Sequence, residues 1–207
     1  MRYRLGVVDV VFWPRELPES ATLAKELGFA HIDVPCEWEG ELDLPVGDRT
    51  AFPSPKPGCS TPAPPEGEGM WDRAVAAYRR NPGCRMEPWG GSVCNTVEKV
   101  RAMLDAVPGL RLLVDTGHVA GWGEDPADLL PWAHHVQLRQ ARKGEVQVHA
   151  DDGGDVDFTV LLQRLDALHY GGLLSVEYFD LPDMGWHLDD PVGWACALAG
   201  RVRPLLA

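Results

Sequence analysis

Short apolar runs alternate along the chain with segments whose apolar residues recur at helical spacing. Residues 4–12 (RLGVVDVVF) predict a strand. Residues 19–27 predict a helix, with Leu23, Ala24 and Leu27 on one face and Gly28 as its stop. Residues 30–35 (AHIDVP) predict a second strand. Regularity then breaks across residues 39–66, where seven prolines fall within 28 residues. Proline lacks the N–H that a helix or central strand needs, so this stretch predicts an ordered, helix-free loop with short extended pieces near 42–46 and 59–62. Alternation resumes with a helix at 70–79 and a strand at 84–88. The next helix is opened by Asn95 and striped by Val97, Val100, Leu104 and Val107. Beyond it lie a strand at 110–115, a short helix opened by Asp125-Pro126, a strand at 135–139, a helix at 158–168 capped by Asp157, a strand at 173–178 and a last helix at 191–206.

Strand–helix alternation implies a parallel α/β sheet. An open doubly wound sheet usually carries a glycine-rich phosphate turn, and no such motif occurs. A closed (β/α)8 barrel is the better expectation. At 207 residues it is short, and one domain over 1–207 is expected. Only about 45 residues separate the second strand from the one at 84–88, where such a barrel fits two β/α units. At least one helix is therefore expected to be missing around the third and fourth strands. A side without a helix exposes apolar strand surface, so a second copy of the chain is expected to cover it.

Four strands carry a polar residue near the C-terminal end: Glu87, Asp115, Gln137 and Glu177. Side chains alternate between the two faces of a strand, so Leu112 and Val114 oppose Leu113 and Asp115, and Val136 and Leu138 oppose His135, Gln137 and Arg139. These polar ends would converge at the C-terminal mouth, where barrel active sites lie. A single strand-end carboxylate is usually solvated or caps a helix; a series of them is harder to explain so. Three converging carboxylates repel one another without a cation, and two Glu, one Asp and a Gln amide oxygen make an all-oxygen donor set suited to Mg²⁺ or Mn²⁺.

The stretches MEPWGG (86–91), LLVDTGH (112–118), HVQLR (135–139), GGDVDF (153–158) and YGGLLSVEY (170–178) together resemble the xylose isomerase-like TIM-barrel superfamily of sugar isomerases and epimerases. The resemblance implies metal ligands at Glu87, Asp115, Gln137 and Glu177. It implies proton exchange by Glu87 and Glu177 through a metal-stabilised enediolate, and a substrate contact from His118. Gln137 stands where many members have His, and is similar to the hydroxypyruvate isomerase branch. Gln140 stands where an acidic residue is usual. Arg139 is a candidate for a substrate oxyanion or carboxylate, or for a partner to a ligand carboxylate. Of the eight tryptophans, Trp13, Trp38, Trp89, Trp122 and Trp186 follow predicted strands on the mouth side. Trp13 and Trp89 are the preferred pocket walls, since sugar C–H faces stack on such rings. His187 is a further candidate, and His134 and His149 read as surface residues.

Composition narrows the partners. Formal net charge is -12, the wrong sign for nucleic acid or an anionic membrane, which argues against an endonuclease IV-like phosphodiesterase. The competing reading is a ligand-binding or structural barrel without catalysis. No apolar run of membrane-spanning length and no signal peptide are read, so a cytoplasmic location is expected. The five cysteines, odd in number and without CxxC spacing, are expected to be free thiols.

Overall fold

A computed structural model describes residues 3–206. Eight strands, β1 (Leu5–Val8), β2 (Ile32–Pro35), β3 (Val46–Thr50), β4 (Ser60–Pro62), β5 (Arg85–Glu87), β6 (Arg111–Asp115), β7 (Ala133–Leu138) and β8 (Leu173–Val176), pair in sequence order. β8 returns to β1 in parallel, with Leu5 opposite Leu174 and Val7 opposite Val176, so the sheet closes into the expected barrel. Helices α1 (Leu17–Glu26), α2 (Met70–Arg80), α3 (Val97–Ala106), α4 (Thr116–Trp122), α5 (Phe158–Ala167) and α6 (Pro191–Val202) lie between or after the strands. Among the described residues, no helix is long and apolar enough to cross a membrane.

No helix joins β2 to β3 or β3 to β4, so the helix-poor side falls where the prolines placed it. Its strand β3 is displaced from the expected piece near 42–46, because Leu44 turns into the core instead of extending. Outward-facing Ile32 and Val34 are nonetheless fully buried, and Leu42 and Leu44 of the connecting loop join the same apolar cluster. On this side the exposed apolar group is Phe52, at 77%.

A disulfide between Cys36 and Cys59 spans this helix-free region and corrects the free-thiol expectation. Partners 23 residues apart give no local signature, and only the barrel's curvature brings them together. Cys84, Cys94 and Cys196 are free.

Several element ends also differ from expectation. Residues 9–12 wind into a 3₁₀ turn instead of extending β1. Thr96, not Asn95, caps α3, accepting from the Lys99 N–H at 3.2 Å. The last helix tightens into 3₁₀ geometry after Val202. Helix α4 was not anticipated, since Gly117 and Gly121 interrupt any apolar stripe and lower helix propensity.

The barrel interior is polar below the mouth. Asp33 from β2 lies 2.7 Å from His135 Nε2 of β7 and accepts the Asp48 N–H at 2.8 Å. His135 holds Asp33 ionised: burial raises the carboxyl, but the His135 cation, with help from His31, brings it below its ordinary range. Burial lowers His135, and Asp33 more than reverses this, leaving it raised. Arg85 ion-pairs with Asp48, donates to Ser60 Oγ at 3.0 Å, and Ser60 in turn bonds Asp48. His31 Nε2 lies 3.0 Å from Ser175 Oγ, and a Cβ on Gly6 would sit 2.1 Å from that same nitrogen. Glycine is therefore required there for the ring to enter the barrel.

Two outcomes follow from this core. Alkylation of the unfolded, unreduced protein is expected to modify three cysteines, rising to five after reduction, as read by mass spectrometry. Asp33→Ala is expected to strand the His135 cation and cost about 3–5 kcal/mol in urea unfolding; a loss below about 1 kcal/mol would show that the pair is not ionised.

Candidate active site

The strand ends deliver the expected side chains to one place. Glu87 closes β5 and Asp115 closes β6; Gln137 stands opposite Asp115 and Ser175 in register on β7, and Glu177 follows β8 directly. All four are buried. The chain after Asp115 turns at once into α4, and Asp115 caps it by accepting the Gly117 N–H at 2.7 Å. That turn carries His118 back over the carboxylates, with Nε2 3.5 Å from Asp115 Oδ2 and 3.8 Å from Glu87 Oε1. Thr116 Oγ1 accepts the Arg139 N–H and donates to the Arg139 carbonyl, both at 2.8 Å, tying α4 to the end of β7.

Arg139 is the cation of the site. Its guanidinium pairs with Asp115, lies 3.6 Å from Glu177 Oε2 and rests 4.2 Å from the centre of the Phe179 ring. Phe179 packs on Trp186 at 5.3 Å, and Trp186 on the His118 ring at 5.8 Å. These two aromatics form a wall beside the charged groups, distinct from the one expected from Trp13 and Trp89. Trp13 is 58% exposed, and Trp89 is half-buried, donating Nε1–H to the Ala63 carbonyl at 2.6 Å. Phe179 directly follows the SVEY motif, so its place next to Glu177 was the available signal.

Other candidates are engaged elsewhere. Gln140 donates to the Val156 carbonyl at 3.0 Å and accepts the Ala141 and Val156 N–H groups, so it braces the loop to the GGDVDF stretch. His187 is exposed and 2.8 Å from Asp180. His134 is exposed, but His149 is half-buried, its ring 5.3 Å from that of Trp194.

Electrostatics divide the carboxylates. Burial, reinforced by Asp115, pushes Glu87 up to about 8. Burial likewise raises Glu177 well above its ordinary value, with Asp115 and Glu87 adding to the effect against Arg139. Asp115 is buried too, yet the Arg139 guanidinium and His118 bring it below the usual range. Burial lowers His118 to about 4, so its ring is neutral at pH 7. The site thus joins one aspartate, favoured as the anion by Arg139, to two glutamates whose burial favours the protonated form.

The donor set fits a divalent cation. Glu87, Asp115 and His118 each offer one ligand atom, all within 4.8 Å of one another. His118, assigned to substrate on sequence, therefore sits among the ligand candidates. Gln137 Oε1 and Glu177 Oε2 are buried without a hydrogen-bond partner. Such an unsatisfied group costs about 1–3 kcal/mol, and coordination would use both lone pairs.

The profile of the family described as xylose isomerase-like TIM barrel matches residues 74–197. The chain belongs to the xylose isomerase-like TIM-barrel family. Solved structures with this fold include the 3-keto-D-glucoside 4-epimerase of E. coli, with TM-score 0.72 and 14% identity over 98% of this chain and 99% of that one. An L-ribulose 3-epimerase superposes with TM-score 0.73 at 14% identity over 99% and 94%. A family protein from Mycobacterium smegmatis in complex with magnesium reaches 0.74 at 13% identity over 99% and 96%. No curated protein matches the chain in sequence.

The raised Glu87 makes a signed prediction. A carboxyl whose folded value is raised from 4.5 to about 8 stabilises fully below 4.5, and that contribution is lost as pH climbs toward 8. In EDTA, the melting temperature of wild type relative to Glu87→Gln is therefore expected to fall between about pH 5 and 8; a difference constant across that window would refute the shift.

Proposed function

We propose that the chain is a divalent-metal-dependent isomerase or epimerase of a small sugar or hydroxycarbonyl compound. The observation that carries this reading is the buried cluster of Glu87, Asp115, His118 and Glu177 at the C-terminal mouth of a family barrel. The fold shared with two sugar epimerases supports it.

Such a reaction removes a weakly acidic C–H proton beside a carbonyl and returns it. Glu87, Asp115, Gln137 and Glu177, with His118 as a further donor, would hold Mg²⁺ or Mn²⁺, which supplies Lewis-acid stabilisation of the charge that builds on substrate oxygens. Glu87 and Glu177 are the proton carriers. Burial raises both carboxyls above their ordinary range, which suits them to carry a proton; in turnover the ionised one takes the substrate proton and the protonated one returns it. Neutral His118 donates to a substrate oxygen when it is not a ligand. Phe179 and Trp186 exclude water beside the charged groups, and Trp13 and Trp89 offer rim faces to sugar C–H bonds.

A second reading is a binding barrel without catalysis. It is favoured by the Arg139–Asp115 pair, which compensates the ionised aspartate from within the chain. Nucleic acid is disfavoured by the net charge of -12.

Isotope exchange separates the two. With Mn²⁺ present, D₂O is expected to deliver deuterium to the carbon beside the carbonyl of at least one ketose or hydroxycarbonyl acid in a broad panel. Glu177→Gln is expected to lower that exchange at least about 100-fold while remaining folded. No exchange across the panel by a metal-loaded wild type would sink the catalytic reading.

A further inference from the structure

Arg139 is seated too well for a passing surface cation. Its side chain is fully buried, with Phe179 beneath the guanidinium. It also lies in a notch that exists because residue 117 has no side chain. A Cβ on Gly117 would fall 2.3 Å from Arg139 Nε and 2.5 Å from the Val146 carbonyl oxygen. The guanidinium contacts Asp115 through Oδ2, the same oxygen that faces His118 Nε2 at 3.5 Å. It also reaches Glu177 Oε2 at 3.6 Å, while Nε and Nη1 have no hydrogen-bond partner.

We propose that Arg139 is a positioning residue that latches Asp115 and Glu177 in place without a metal, and that it competes with the divalent ion for Asp115. This rests on the metal-dependent reading of the site. Two positive charges claim one buried carboxylate oxygen. A guanidinium already there supplies the compensation that a cation would otherwise bring, and like charges at such range repel strongly in a low-dielectric interior. Ion binding therefore requires the Arg139–Asp115 contact to loosen. The half-used guanidinium is consistent with this, since its freed donors have the Phe179 face to remain on. The latch makes the protein foldable without metal and lowers its metal affinity.

The test reads metal affinity directly, by the free Mn²⁺ EPR signal during titration at pH 8. Arg139→Met is expected to bind Mn²⁺ at least about tenfold more tightly than wild type, because the competing charge is gone. Arg139→Lys, which keeps that charge, is expected to stay within about threefold of wild type. Arg139→Gln also removes the competing charge and is expected to tighten binding by a similar factor; it serves if the Met variant does not fold. A generic loss of structure would weaken binding, not tighten it. Wild type that binds Mn²⁺ while neither Arg139→Met nor Arg139→Gln binds it more tightly overturns the latch and leaves the metal reading standing. Binding by Arg139→Met alone supports the latch in a stronger form. Binding by no variant rejects both.

Discussion

An ion moved from water into a packed protein interior loses several kcal/mol of solvation unless a partner restores it. This barrel carries ionised groups through its whole interior, where parallel barrels usually stack branched apolar side chains. Asp33 is matched by His135, Asp48 by Arg85, and Asp115 by Arg139. Asp33 and His135 meet across the barrel from β2 and β7, while the other two pairs join nearby strands or strand ends, so the interior is filled by groups that satisfy one another. Small residues make the room: Gly6 admits His31, and Gly117 admits Arg139.

Compensation is complete in the lower layer and incomplete at the mouth. Asp33, His135, Asp48, Arg85 and Ser60 all find partners. Above them, three carboxylates share one guanidinium, and Gln137, Glu177 and His118 keep buried atoms without hydrogen bonds. Incomplete satisfaction is costly in a core but is what a ligand site requires, because those unfilled positions are where an ion and a substrate can gain free energy. The rise in Glu87 and Glu177 is the same imbalance expressed as retained protons.

The helix-free side shows a different economy. Helices around a barrel cover the outward strand residues, and here Ile32 and Val34 are covered without one. The connecting loop contributes Leu42 and Leu44 to the apolar cluster, and the Cys36–Cys59 bond fastens the segment across its proline-rich span. Between β2 and β3, the missing helix is thus replaced by a loop that carries its own apolar anchors.

Much of this was legible from one-dimensional periodicity. Alternation along strands of three to six residues fixes which side chains share a face, so the convergence of Glu87, Asp115, Gln137 and Glu177 could be read from the sequence, as could the shortened third and fourth units from their prolines. What could not be read are relations between distant residues with no shared period. His135 and Asp33 lie 102 positions apart, and Cys36 and Cys59 lie 23 apart. The sequence placed polar groups near the ends of β5 to β8, three carboxyls and one amide, because backbone geometry is local and repeats every two residues. Only the tertiary structure decided which of its two candidate roles Arg139 takes, that His118 turns back over Glu87, and that Cys36 meets Cys59, because charge pairing and cross-linking act through distance in space.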